Sequence, residues 1–116
     1  MDRRLGEFEQ LILFSLIHLG SDAYGVSIRK LLLERTGREV SSGAIYTTLE
    51  RLERRALVKS TFGEPTPARG GRRKKFFALE PTGAIALNRS FTTLQKMVPD
   101  GGATLAALVD GQEAGI

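Results

Sequence analysis

The chain has 116 residues, 41% of them hydrophobic, a formal net charge of +4 and no cysteine. A chain of that length holds one modest core and is only marginally stable alone, so a dimer interface is a natural supplement. The lack of cysteine excludes disulfides and thiolate metal sites and agrees with a reducing cytoplasm.

The N-terminus mixes Arg3 and Arg4 with Asp2, Glu7 and Glu9, unlike the basic start of a signal peptide. Residues 5–19 carry apolar side chains on nearly every helical face, which predicts a helix buried on most sides and stopped by Gly20. Its apolar run, residues 11–19, is interrupted by Ser15 and His18 and is too short to span a bilayer, so a soluble chain with no membrane partner is expected. Ser21 or Asp22 is the expected cap of a second helix. That helix has Tyr24, Ile28, Leu31 and Leu32 at i, i+4, i+7, i+8 and ends at Thr36-Gly37. Ser41 and Ser42 then offer caps for a third helix, Ser42–Arg54, with Ile45, Leu49 and Leu52 facing inward. The opposite face carries Gly43, Thr47, Glu50, Arg51 and Arg54, with Tyr46 at the flank.

Residues 57–62 and 73–79 are β-compatible, and residues 63–71 between them are dense in Gly and Pro, as in a mobile loop. Pro81 suits the first turn of a last helix whose stripe is Leu87, Phe91, Leu94 and Val98, stopped by residues 99–102. The apolar patch 105–109 is left unassigned. The order helix, helix, helix, hairpin, helix predicts a mainly α fold with a small β-hairpin: a winged helix-turn-helix plus a C-terminal helix. Residues 1–80 form the expected winged helix-turn-helix domain, 81–98 the C-terminal helix, and 99–116 a short, partly disordered tail.

Charge is unevenly distributed. Residues 1–40 are neutral overall, residues 41–79 carry +6 and residues 80–116 carry −2. An excess confined to the middle third is the footprint of a polyanion binder. In a helix-turn-helix the second helix of the pair enters the major groove by its N-terminal end. Ser42, Gly43 and Thr47 are small or hydroxylic there, so backbone and base edges can approach closely. Arg51 and Arg54 lie further along that face, toward the phosphates. Residues 69–75 hold Arg69, Arg72, Arg73, Lys74 and Lys75, five cations in seven residues that repel one another unless an anion neutralises them. Nuclear-localisation and nonspecific RNA-binding readings of that run stay open.

Three motifs carry a resemblance. Tyr24-Gly25 opens the second helix, Gly43-Ala44-Ile45-Tyr46-Thr47-Thr48-Leu49 lies in the third, and Gly70-Gly71-Arg72-Arg73-Lys74-Lys75-Phe76-Phe77-Ala78-Leu79 runs into Thr82-Gly83. From about Leu5 to Met97 the chain resembles the PadR family of bacterial transcriptional regulators. The resemblance implies a homodimeric repressor on a pseudo-palindromic operator in double-stranded DNA. It places Ser41, Ser42, Ala44, Tyr46, Thr47 and the wing at the DNA surface, and Tyr24 is a further candidate DNA contact. Many members have a longer C-terminal region; the short one here resembles a compact subfamily whose last helix packs on the partner's first. Residues 81–98 are then a C-terminal dimerisation helix, with Leu5, Phe8 and Ile12 meeting Leu87, Phe91, Leu94 and Val98; packing of that stripe on its own domain is the open alternative. The resemblance also implies a small hydrophobic or phenolic effector, with Phe8, Phe14 and Phe91 as candidate cavity walls.

An enzyme is not expected. The single histidine, His18, lies in an apolar helix, and no paired carboxylates, nucleophile elbow, metal spacing or phosphate loop is present, so neither cofactor nor metal is expected. The rival readings are a nonspecific nucleoid-type DNA binder and a protein-interaction winged-helix module.

Overall fold

In the computed structural model, which describes residues 4–64 and 73–114, each helix starts where a local group satisfies its free backbone N–H groups. Helix α1 (Glu7–Leu19) begins at Gly6, whose N–H donates to Glu9 Oε1 at 2.9 Å, half of a capping box. It ends at Gly20 with φ of +56°, a conformation that favours glycine. Ser21 and Asp22 do not cap the second helix; they belong to a short 3₁₀ turn, Gly20–Asp22. Helix α2 (Gly25–Thr36) starts three residues later than Asp22, where the Tyr24 N–H donates to Ser27 Oγ at 3.0 Å. Ser41 caps helix α3 (Ser42–Arg54), its hydroxyl accepting from Ala44 N at 3.1 Å.

Helix α3 ends in a Schellman pattern: Leu57 N donates to Leu52 O, and Ala56 N to Glu53 O. The left-handed position falls on Ala56, with φ of +60°, where glycine is the usual occupant. The chain then enters an antiparallel hairpin of β1 (Val58–Phe62) and β2 (Lys75–Leu79), in register from Val58↔Leu79 to Phe62↔Lys75. Phe77 N donates to Ala23 O, and Tyr24 bridges Phe76, so the hairpin is tied to the start of α2. The expected loop at 63–71 lies almost wholly outside the described residues.

Pro81 opens helix α4 (Pro81–Lys96). Gly83 lets it close on the hairpin, since a Cβ there would meet the Leu57 carbonyl and come 2.7 Å from Leu79 Cδ1. Within the tail, Ala103–Ala114 forms helix α5 around the apolar patch 105–109. Asp100 precedes it, accepting from the Thr104 hydroxyl and from the backbone N–H groups of Thr104 and Gly102. Those bonds, the hydroxyl's first, hold its carboxyl below the ordinary carboxylate range.

The core joins α1, α2, α3, the hairpin and the start of α4 through Ile12, Leu13, Ile28, Ile45, Leu49, Leu52, Val58, Phe77 and Leu87. Ile45, Leu49 and Leu52 are fully buried, as their spacing predicts. The expected dimer stripe divides. Leu5, Ile12 and Leu87 lie in the chain's own core and offer almost no free surface, whereas Phe8 packs against that core and stays partly exposed. The reason is that α1 occupies the centre of the domain, between α2, α3 and α4. Phe91 meets Phe14 edge-on at 5.5 Å, whereas Leu94 is 63% and Met97 80% exposed. The described side chains of α5 are all exposed. The radius of gyration, 17.4 Å, accordingly exceeds the roughly 13 Å of a compact chain of about this length. Among the described residues no helix is long and apolar enough to cross a membrane.

Candidate nucleic-acid interface

The N-terminal end of α3 projects from the domain with Ser41, Ser42, Gly43, Ala44 and Thr47 exposed. The buried stripe on the other side fixes its rotation, so this polar edge cannot turn inward. Tyr46, 38% exposed, lies along the start of α2. Its ring fills the space where Gly25 has no side chain; a Cβ at Gly25 would fall 2.7 Å from Tyr46 Cζ. The same ring tilts against Phe77 of β2, with centroids 6.4 Å apart.

At the other end of α3 the two expected phosphate contacts part. Arg54 is exposed. Arg51 is half-buried rather than outward, with Nε 3.5 Å from Glu9 Oε2 and Nη2 3.5 Å from the Thr48 hydroxyl. Arg55 Nη1 lies 3.8 Å from the same carboxylate oxygen. A long arginine folds back to a buried carboxylate, because that carboxylate is costly without compensating charge. Glu9 is the residue that helical periodicity missed. Its trace in the sequence is an acid three residues after Gly6, the spacing of a capping box.

In the wing, Arg73 and Lys74 are exposed and Lys75 is half-buried, while Arg69 and Arg72 lie outside the described residues. Each described cation rests on an aromatic ring. Lys74 Nζ is 4.4 Å from the centroid of Tyr24, which meets Phe76 edge-on at 5.5 Å. Arg73 and Lys75 are 5.6 and 5.7 Å from the centroid of Phe62. Such contacts orient a long cation without neutralising it. Tyr24, half-buried, is thus a support for the wing as well as the entry to α2. Phe62, 58% exposed, was also missed, since strand periodicity marks it only as a β-compatible residue.

The parts converge on Phe77 of β2: the ring of Tyr46 from α3 tilts against it, and Lys75 Nζ lies 5.6 Å from its centroid. The exposed start of α3 and the cations on that face of the hairpin are therefore neighbours. That arrangement suits a polyanion with a groove. The described residues hold no group of three His, Cys, Asp or Glu able to bind a metal. His18 is exposed, and its ring nitrogens face Arg35 Nη2 at 3.1 and 3.4 Å.

Comparison with known proteins agrees with this geometry. The model of the transcriptional regulator PadR-like family matches residues 13–89. No curated protein matches the sequence significantly. Among solved structures, a PadR family transcription regulator from Clostridium difficile R20291 superposes with a TM-score of 0.67 at 24% identity, covering 87% of this chain and 99% of that one. A transcriptional regulator from Clostridium thermocellum gives 0.65 at 25% identity, over 82% and 88%. A PadR-like transcriptional regulator from Bacillus cereus gives 0.65 at 23%, over 85% and 90%. These likenesses establish the winged-helix fold, and the family model reaches across its reading helix and wing.

Proposed function

Because the chain belongs to the PadR-like family of transcriptional regulators, we propose that it binds double-stranded DNA as a homodimer and represses transcription at a pseudo-palindromic operator. The observation that supports this reading is the ring of Phe77, which touches Tyr46 of α3 on one hand and Lys75 of the wing on the other.

In this reading α3 enters the major groove by its N-terminal end. Ser41, Ser42, Gly43, Ala44, Tyr46 and Thr47 face base edges and nearby phosphates. The free N–H groups of the first turn favour phosphate oxygens as well. Arg54 reaches the backbone, and Arg73, Lys74 and Lys75 lie along the phosphates of the next groove; Arg69 and Arg72, outside the described residues, add to the same positive charge. Those contacts set affinity and salt dependence, and α3 sets the choice of sequence.

Residues 81–98 act as the dimerisation helix. The exposed apolar stretch Phe91, Leu94 and Met97 supports this role, since single domains rarely leave such a stripe in water. A small hydrophobic or phenolic effector would act at that interface, near Phe14 and Phe91, and release the protein from its operator. Selection of bound fragments from random duplex DNA by the full chain tests the function. Recovered sites should contain two inverted half-sites about one helical turn, roughly 34–36 Å, or a multiple of it apart. Recovery of fragments without any shared sequence would leave a nonspecific binder instead.

A further inference from the structure

Phe62 closes β1 opposite Lys75. Side chains alternate along a strand, so Phe62 shares a face with Ser60 and Val58. Ser60 Oγ donates to Glu53 Oε2 of α3 at 2.6 Å, and Val58 is buried in the core. The Phe62 ring is therefore on the α3 side of the hairpin. Phe77 and Val58 already close the hairpin on α3, and more than half of Phe62 stays in contact with solvent.

Its surroundings are cationic. Arg73 lies 5.6 Å from the ring centroid, and its Nε donates to the Gly63 carbonyl at 2.9 Å, which fixes the guanidinium at the ring. Lys75 Nζ lies between two rings, 5.7 Å from Phe62 and 5.6 Å from Phe77. Tyr46, Phe77, Lys75, Phe62 and Arg73 thus form a continuous run from the reading helix along the wing. An apolar ring bracketed by two cations is poorly suited to contact water or an apolar partner. It suits a partner with closely spaced anions on either side of an apolar surface, and the groove edge of a duplex has that chemistry.

We propose that Phe62 is a minor-groove wedge: Arg73 and Lys75 engage the flanking phosphates while the ring packs on a base step beside the site read by α3. The proposal rests on the DNA-binding reading above and adds a second source of sequence choice. Apolar side chains pressed on a base step unstack it and bend the duplex. Pyrimidine–purine steps such as TA yield most easily, so such a wedge selects flexible steps without hydrogen-bonding any base.

The probe is the tightest duplex recovered by random-sequence selection with the full chain. It carries 2-aminopurine at successive flanking steps and an energy-transfer pair at its ends. Binding of the wild-type chain should brighten 2-aminopurine at one flanking step and shorten the end-to-end distance. Phe62→Ala should abolish both signals and weaken binding about tenfold, with the salt slope unchanged because every cation remains. Should that change loosen the hairpin, Phe62→Leu retains the bend and Phe62→Gln, polar and of similar length, loses it. A Phe62→Ala chain that bends and binds as the wild type does would overturn the wedge. So would a wild-type complex that is straight and shows no brightening, or a salt slope flattened by Phe62→Ala, which would make the ring a mere support for the cations. Failure of the wild-type chain to bind any duplex would instead overturn the DNA-binding reading.

Discussion

The ring of Tyr46 occupies the space that a side chain at Gly25 would need, with Tyr46 Cζ 2.7 Å from the position of a Cβ there. The contact joins the two helices of the helix-turn-helix pair near their N-terminal ends, and it fixes how far α3 projects. A glycine in the first turn of α2 is therefore a packing requirement, not a flexible point. Gly25→Ala should destabilise the chain by about 1–3 kcal/mol through overpacking. In a Tyr46→Ala background the same change should cost less than half as much. Urea denaturation of the four proteins gives the coupling; equal costs in both backgrounds would show that the ring does not set the spacing.

Glu9 bridges the entry of α1 to the far end of α3, accepting from Gly6 N and lying within 4 Å of the Arg51 and Arg55 guanidinium groups. Glu9→Gln keeps the cap geometry and removes the charge. Because Arg51 is partly exposed, the loss should be modest for a buried pair, about 1–2 kcal/mol. A chemical denaturation midpoint equal to the wild type's would leave the bridge without structural weight.

Ala56 holds a left-handed conformation at the end of α3, with φ of +60°. Strain of that kind is relieved by glycine, which has no Cβ to clash, although glycine also raises unfolded-chain entropy. Ala56→Gly should raise stability by about 0.5–1 kcal/mol net. Thermal unfolding is the measurement, and a lower midpoint would mean the left-handed turn carries no strain worth relieving.

Salt dependence separates the wing from the reading helix. Replacing Arg73, Lys74 and Lys75 with alanine should weaken binding to selected and random duplexes alike. It should also reduce the slope of log affinity against log salt by about 0.9 for each phosphate left without its cation. Thr47→Ala should act oppositely, lowering preference for the selected duplex with the slope unchanged. Filter or anisotropy titrations at several salt concentrations distinguish these outcomes, and a triple variant with the wild-type slope would remove the wing from the interface.

The exposed end of α4 makes the dimer testable without touching the core. Leu94→Glu together with Met97→Glu places charge on a stripe that is solvent-facing in the single chain, so folding should persist. Light scattering at micromolar concentration should report a dimer for the wild type and a monomer for the variant. A wild-type monomer would exclude residues 81–98 as the dimerisation helix.

The α3 periodicity was legible in the sequence because burial of Ile45, Leu49 and Leu52 leaves one possible outward face. The Ser41 cap was legible for a similar reason, since a hydroxyl before an apolar-periodic run has a local job. The α2 cap was misplaced because Ser21 and Asp22 suit a cap chemically, yet the 3₁₀ turn takes them. Helix α5 was legible only as the apolar patch 105–109, because its sequence has no strong helical periodicity to mark its extent.

Local order and periodicity, then, determined the order of α1 to α4 and the hairpin, the inward stripe of α3 and the cationic character of residues 69–75. These depend on chemistry within a few residues of the chain. Only the tertiary structure decided that Leu5, Ile12 and Leu87 are core, that Arg51 turns to Glu9, and that Lys74 meets Tyr24. Periodicity marks which face of an element is apolar but does not name what covers it. A residue's partner across the fold is set by how the helices and hairpin pack together, and that information lies between distant segments.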